Sequence, residues 1–229
     1  MSYIINKENA LGLLSDVIDS TRILSDPKGL LIHSESVGDR AGEVALKTLH
    51  HYPDLHIDVN AISCAGYLHD IGRPLSTTPL KQIGHEIRSS IWIIKNGHNK
   101  GISVSKDKVN KIARMVKSHS SIFEQWALDP QLRDEFVNDV IDPITLYPRT
   151  FGEACITYSD LVVYNGGKVD ASWKINDAIK RYDGNLLTST NIVGNSLIIA
   201  KSRLLNLVDM VECASQGKLS MEQLEQINF

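Results

Sequence analysis

The chain has 229 residues, of which 42% are hydrophobic and 22% are charged, and its formal net charge is -3 at pH 7. These values suit a globular protein with one large domain, or a domain with an appendage, and give no reason to expect nucleic-acid binding. Three cysteines that lie far apart (Cys64, Cys155 and Cys213) exclude a disulfide framework and a paired-cysteine zinc site. Because we find neither a signal peptide nor a run of about 18 apolar residues, we expect a cytoplasmic protein with no membrane partner.

Helical periodicity is the main pattern in the first half of the chain. Apolar residues recur every three or four positions in five stretches, over residues 9–24, 30–49, 58–68, 83–95 and 106–117. Asp26-Pro27-Lys28-Gly29 separates the first two stretches, Asp58 suits the N-cap of the third, and Asn96-Gly97 suits the end of the fourth. Five helices are therefore predicted here, with a loop over residues 73–78.

The second half of the chain is less regular. Pro130, Pro143 and Pro148 interrupt residues 126–149, for which we predict less regular structure. Further helices are predicted over residues 151–164, 194–214 and from residue 220 onward, and no alternation is long enough to predict a strand. We therefore predict an all-α fold with a domain over residues 1–168 and a helical extension over residues 169–229 that packs on it. The long helix of this extension could instead pair with a second copy of the chain in a homodimer.

Histidines and aspartates stand at the ends of the predicted helices. His69-Asp70-Ile71-Gly72 ends the third helix, and three further histidines lie near the ends of others, namely His33, His85 and His119. Asp160 lies inside the apolar run 154–163, where an ionised carboxylate is costly unless it is paired or bound to a metal. Imidazoles and carboxylates together suit Fe, Mn, Co, Ni or Zn. The other four histidines are predicted to be surface residues: His50, His51, His56 and His98.

The ordered set resembles the HD superfamily of metal-dependent phosphohydrolases, of the HDIG type, and within it the subgroup that binds two metals. The set reads His33, His69-Asp70, His85, His119, Asp160, and the segments 33–37, 68–72 and 84–90 look like the characteristic segments of the family. The resemblance covers roughly residues 28–165 and implies an HD-domain helical bundle with additional C-terminal helices. Arg73-Pro74 departs from many relatives, which carry lysine or another residue there.

The resemblance also implies how the ligands are shared between two divalent cations. A first cation, Fe or Mn by preference and Co, Ni or Zn as alternatives, would take the ligands His33, His69, Asp70 and Asp160. Asp70 would bridge to a second cation held by His85 and His119. Two cations about 3.5–4 Å apart can hold a bridging hydroxide and clamp a phosphate, so no nucleophilic side chain is required.

Each of these assignments has a simpler alternative. His33 could cap a helix, and His85 could be an ordinary first-turn residue after Gly84. His119 could be a solvated histidine that the dipole at a helix C-terminus favours. Asp160 could pair with an arginine instead of a metal.

Two arginines are the candidates for substrate binding. Arg73 follows the His-Asp-Ile-Gly segment directly, where its guanidinium could hold a phosphate by two hydrogen bonds and assist Asp70 in catalysis. Arg88 lies three residues after His85 and therefore on the same face of that helix. A salt bridge with Glu86 or another acid is the alternative for Arg88. Glu35 and Glu86 could orient ligating imidazoles or could be exposed.

These residues predict a phosphohydrolase in which a metal-bound hydroxide cleaves a phosphomonoester or phosphoanhydride of a nucleotide or similar small metabolite. The same ligand set resembles that of HD-type di-iron oxygenases that act on small phosphonates or polyols, which is the alternative. A non-catalytic binding module that kept the fold is a third hypothesis, and the intact ligand set argues against it.

Overall fold

The computed structural model of the chain describes residues 4–21, 24–75, 83–140, 142–183 and 188–226. Helices make up almost all regular structure in these ranges, so the prediction of an all-α fold is confirmed. None of the helices in the described ranges is both long and apolar enough to cross a membrane. Residues 76–78 of the predicted loop at 73–78 lie outside these ranges.

Eleven α-helices, one 3-10 helix and one short hairpin occur in the described residues. The first five helices, all predicted, are α1 (Lys7–Thr21), α2 (Pro27–His51), α3 (Val59–Leu68), α4 (His85–Asn96) and α5 (Lys106–Lys117). The remaining elements are α6 (Ile122–Leu128), α7 (Pro130–Glu135), a 3-10 helix (Pro143–Leu146), α8 (Phe151–Val162), β1 (Val163–Tyr164), β2 (Gly167–Lys168), α9 (Ala171–Asp183), α10 (Thr188–Ser215) and α11 (Met221–Gln226).

Residues 126–149, predicted to be less regular, contain two short helices that each begin at a proline. Pro130 is the first residue of α7 and Pro143 the first of the 3-10 helix. The aspartate before each proline caps the helix: Asp129 accepts a hydrogen bond from the Gln131 N–H, and Asp142 from the Ile144 N–H. Proline suits this position because its missing N–H would have no partner there in any case. Among the described residues of this region, regular structure is therefore limited to short segments, and two of them begin at the prolines that the sequence marks.

The hairpin and α9 were also not predicted. In the hairpin, Val163 pairs with Lys168 and Tyr164 with Gly167. The two residues of the turn, Asn165 and Gly166, have φ of 47° and 80°. Positive φ at both positions is what a tight two-residue hairpin turn requires, and Asn-Gly is the sequence that favours it. The sequence contains this signal, but the helix predicted over residues 151–164 extends up to it and includes both residues of β1.

Close contact between α2 and α3 brings two predicted metal ligands together. A Cβ atom placed on Gly66 of α3 would lie 2.6 Å from the Cα atom of Gly38 on α2. The two backbones can approach this closely because Gly66 has no Cβ atom, and the absence of a Cβ atom on Gly38 leaves room for the Tyr67 ring of α3. The contact holds His33, on α2, close to His69, at the end of α3, with ring centroids 5.2 Å apart.

Gly72 lets the start of α4 approach the chain that follows α3. Its N–H donates a hydrogen bond to Ser89 Oγ at 2.8 Å. A Cβ atom at this position would lie 2.4 Å from the His85 carbonyl oxygen and 2.5 Å from the Ser89 backbone nitrogen. Gly72 therefore places His85 beside His69 and Asp70.

The C-terminal helices contact the helices that carry the predicted ligands. α10 packs against α2, α6 and α8, and its buried residues Leu204, Leu207 and Val211 belong to the main hydrophobic core. α9 packs between α8 and α10. The division of the chain into two domains at residue 168 stays a prediction.

Lys174 ties α9 to the end of α8. Its ammonium group donates hydrogen bonds to the backbone carbonyls of Asp160 and Val163 and forms an ion pair with Asp160 Oδ1 at 3.2 Å. Only 14% of each of the two charged side chains is exposed. A lysine at this position satisfies carbonyl groups that the helix end leaves without partners.

We expect Gly72→Ala to lower the free energy of unfolding by about 1–3 kcal/mol, because its methyl group would meet backbone atoms that cannot move aside separately. Gly12→Ala is the control. Gly12 lies on the exposed side of α1 with open space around it, so alanine should be neutral or stabilise the helix by about 0.5–1 kcal/mol. Urea unfolding measures both values. Equal stability of the two variants would contradict the close contact at Gly72.

Lys174→Met should lower the free energy of unfolding in EDTA by about 2–4 kcal/mol, because it leaves the buried Asp160 carboxylate and two carbonyls without their cation. Lys168→Met is the matched control. Its ion pair with Glu212 is exposed on both sides and should contribute less than about 1 kcal/mol. If the two variants lost the same stability in urea unfolding, Lys174 would not hold α9 in place.

Candidate metal centre

The structure brings all six predicted ligands together. His33 lies within α2, His69 and Asp70 follow α3, and His85 is the first residue of α4. His119 stands two residues beyond α5, and Asp160 lies within α8. Each ligand therefore comes from a different helix or helix end, apart from the adjacent pair His69-Asp70.

Asp70 lies at the centre of the group, and its two carboxylate oxygens face different histidines. Oδ1 is 3.0 Å from His85 Nε2 and 4.0 Å from His119 Nε2. Oδ2 is 3.4 Å from His69 Nε2 and 3.9 Å from His33 Nε2. Asp70 is fully buried, and the Arg73 guanidinium, with Nε 2.7 Å from Oδ2, surrounds it together with these imidazoles.

Asp160 closes the group on the side of His33. Its Oδ1 atom is 3.1 Å from His33 Nε2 and 4.0 Å from His69 Nε2. One ligand atom from each of these three residues lies within 4.8 Å of the others. Asp160 also meets Lys174, so the salt bridge considered for it exists, although with a lysine and not with an arginine.

Backbone carbonyls fix the orientation of two of the imidazoles. His69 Nδ1 lies 2.7 Å from the Gly66 carbonyl oxygen, and His119 Nδ1 lies 2.5 Å from that of Val116. Because a carbonyl oxygen can only accept, each Nδ1 carries the proton and each Nε2 keeps a free lone pair. Metal-bound histidines are usually held in this way through the second ring nitrogen.

The Nε2 atoms of His69 and His119 are buried and have no hydrogen-bond partner among the described residues. Burial lowers the pKa of His69 to about 3, and it lowers the pKa of His119 as well, so both rings are neutral at pH 7. A buried polar atom without a partner is unfavourable, and a cation would supply the missing interaction. Neutral nitrogen donors of this kind fit a divalent transition metal.

The two aspartates are charged at neutral pH. Burial alone would raise the pKa of Asp70, but the Arg73 guanidinium and the adjacent imidazoles hold it well below its usual range. Burial acts in the same direction on Asp160, where Lys174 and His33 hold the pKa well below its usual range. The group therefore offers ionised oxygen donors together with neutral nitrogen donors, and it could hold a divalent metal ion.

The simpler alternatives for two of the histidines do not agree with the structure. Asp26, and not His33, caps α2, by accepting a hydrogen bond from the Gly29 N–H. His119 is fully buried, so it is not a solvated histidine at a helix end. His85 is the first residue of α4 after Gly84, as its alternative expects, and its Nε2 atom faces Asp70. The prediction that the remaining four histidines lie on the surface is confirmed: His50, His51, His56 and His98 are all exposed.

The two candidate arginines lie in different places. Arg73 lines the cavity above the ligands, and its Nε atom is 2.7 Å from Asp70 Oδ2. The Arg88 guanidinium donates to the Ile83 carbonyl oxygen and to Glu135, and it stacks on the Phe136 ring. The structure therefore does not bring Arg88 to the cavity; it contains the alternative, a salt bridge, although not with Glu86.

A cavity of about 410 Å³ opens onto the ligand group. His33, Asp70, His85 and Asp160 line its polar end. Residues of α9 and α10 form another wall, including Lys174, Ile175, Arg181, Tyr182 and Leu197. Sequence reasoning did not find this wall, because nothing in residues 169–229 marks them as neighbours of His33 and Asp70. A volume of this size suits a small ligand.

Comparison with known families gives an independent observation. Residues 30–144 match the family described as HD domain. The matched stretch contains all the predicted ligands except Asp160, which lies beyond its end. No curated protein and no solved structure matches the chain. Because half of its length matches this family, the chain belongs to the HD domain family.

Proposed function

We propose that this protein is a metal-dependent phosphohydrolase that cleaves a phosphomonoester or phosphoanhydride of a small metabolite, with a nucleotide as the first candidate. The proposal includes two divalent cations, Fe or Mn by preference, with the ligands His33, His69, Asp70, His85, His119 and Asp160. Membership of the HD domain family supports the general class of a metal-dependent hydrolase.

The position of Asp70 is the observation that carries this proposal. One of its oxygens faces His85 and His119, and the other faces His69 and His33. A carboxylate with its two oxygens directed to two separate donor groups is suited to bridge two cations. A pair of cations of this kind supplies a hydroxide nucleophile at neutral pH and a clamp for phosphate oxygens.

In this proposal, backbone carbonyls orient the ligating imidazoles and Arg73 binds the substrate. The carbonyls of Gly66 and Val116 hold two imidazoles with Nε2 toward the group. Arg73 is partly exposed to the cavity and carries a permanent positive charge. A guanidinium here can hold a phosphate oxygen and stabilise the negative charge that develops when the bond to phosphorus breaks.

The walls of the cavity support a small, partly apolar phosphate ester as the substrate. Arg73, Lys174 and Arg181 provide positive charge, whereas Ile175 and Leu197 provide apolar surface. Such a lining favours a molecule with an anionic end and an apolar or aromatic end, as nucleotides have.

The proposal is tested by removing the metals and by adding them back. We expect phosphate release from a panel of nucleotides and sugar phosphates to stop after chelation and to return with Mn²⁺ or Fe²⁺. Asp70→Ala should lower this activity at least about 100-fold, since even partners of metal ligands contribute 10–100-fold. Asp54→Ala, at an exposed aspartate, should leave it unchanged. Phosphate is measured colorimetrically and bound metal by elemental analysis.

Oxygen consumption is followed in the same samples with iron, using phosphonates and polyols. Oxygen uptake with these compounds, together with no phosphate release from the nucleotides and sugar phosphates, would contradict a hydrolase and favour the di-iron oxygenase. Full activity in metal-free protein, or in Asp70→Ala, would contradict the central role of the metals.

Arg73→Gln should lower kcat/KM about 10- to 100-fold, because it removes a charged hydrogen bond to the phosphate. Arg88→Gln should leave kcat/KM nearly unchanged, because the Arg88 guanidinium is engaged with Glu135 outside the cavity. Steady-state kinetics on the best substrate of the panel measures both values. A larger loss for Arg88→Gln than for Arg73→Gln would reverse these two roles.

A further inference from the structure

Glu86, the second residue of α4, is a fully buried carboxylate. Neither of its oxygens has a hydrogen-bond partner among the described residues. Among the described residues, its only ion-pair neighbour is His85, whose Nδ1 atom lies 3.2 Å from Glu86 Oε2. A buried carboxylate is strongly unfavourable unless hydrogen bonds or a cation compensate for the water it has lost.

Other buried glutamates of this protein do have such compensation. Glu153 pairs with Arg114 and accepts hydrogen bonds from the N–H groups of Arg149 and Thr150. Glu124 pairs with Arg203 through both of its oxygens, at 3.0 and 2.8 Å. Glu86 is different, because no arginine or lysine in the described residues reaches it.

The position of Glu86 indicates which cation could compensate for its charge. One ligand atom from each of His85, Glu86 and His119 lies within 4.8 Å of the other two. Glu86 also lines the cavity, as Asp70 and His85 do. Its contact with His85 is to Nδ1, whereas His85 Nε2 faces Asp70, and this contact does not meet the geometry of a hydrogen bond.

We propose that Glu86 is a direct ligand of the second divalent cation, together with His85, His119 and the bridging Asp70. The inference rests on the proposed two-metal centre and adds to its six ligands a seventh, which gives the second site a carboxylate of its own. An additional oxygen donor with a full negative charge favours hard divalent ions such as Mn²⁺ or Fe²⁺.

Titration of the metal-free protein with Mn²⁺ tests the assignment without any substrate. Wild-type protein should bind two equivalents, and Glu86→Gln should bind the weaker equivalent at least 10-fold less tightly, with the tighter equivalent unchanged. Glu35→Gln is the control, because Glu35 is about half exposed and pairs with Lys7 on the surface. Isothermal titration and elemental analysis give the affinity and the stoichiometry. Unchanged binding of both equivalents by Glu86→Gln would overturn the proposal.

Thermal unfolding separates a metal ligand from a residue that only supports the fold. In EDTA, Glu86→Gln should be at least as stable as the wild type, because the substitution removes an uncompensated buried charge. The rise in Tm on adding Mn²⁺ should then be smaller in Glu86→Gln than in the wild type. A lower Tm in EDTA with the same rise on adding Mn²⁺ would mean that Glu86 supports the fold, and it would overturn the assignment.

Anomalous diffraction from crystals of the full chain grown with Mn²⁺ distinguishes direct from indirect contact. A manganese peak at about 2.1–2.3 Å from a Glu86 oxygen is the expected result, whereas a separation above about 3.5 Å would exclude ligation. None of these measurements depends on hydrolysis. They therefore remain decisive if the protein proves to be an oxygenase, and a failed hydrolase assay alone would not contradict them.

Discussion

The burial of the Asp70 carboxylate is the constraint on which the rest of this structure depends. A fully buried carboxylate has lost its hydration, and charged or polar neighbours must replace it. For Asp70 these neighbours come from parts of the chain that are far apart in sequence. His33 reaches it from α2, His85 from α4, His119 from beyond α5, and Arg73 from the following turn. The close contacts at Gly66 and Gly72 let these segments approach one another. Helix packing therefore brings the groups that compensate for the charge of Asp70 to the carboxylate.

The electrostatic balance around Asp70 explains why a cation fits. Three carboxylates line the same cavity, those of Asp70, Glu86 and Asp160, and the lysine and arginine groups that pair with them in the described residues are Arg73 and Lys174. His69 and His119 contribute lone pairs and no positive charge, because burial keeps both rings neutral. The group is therefore rich in donors and deficient in positive charge, which is the condition that a divalent ion relieves.

The sequence predicted the positions of the candidate ligands better than it predicted their surroundings, and the reason is physical. His69-Asp70, His85 and His119 stand at the ends of strongly periodic helices, and their order along the chain, which resembles the HD superfamily, marked them as candidates. The direction of Arg88 depends on Glu135, 47 residues away, and the role of Lys174 depends on how the hairpin returns the chain to α8. Contacts of this kind follow from tertiary packing, and periodicity within one helix contains no information about them.

Residues beyond the HD domain match complete the candidate site. The match ends at residue 144, before α8, yet Asp160 on α8 closes the ligand group on the side of His33. Lys174 on α9 then holds Asp160, and α9 and α10 together form a wall of the cavity. The helices that carry the histidines thus lie within the part of the chain that matches the family. The cavity wall formed by α9 and α10 comes from residues outside the match. Selectivity for the substrate should therefore depend on α9 and α10, while metal binding should depend on α2 to α5 and α8.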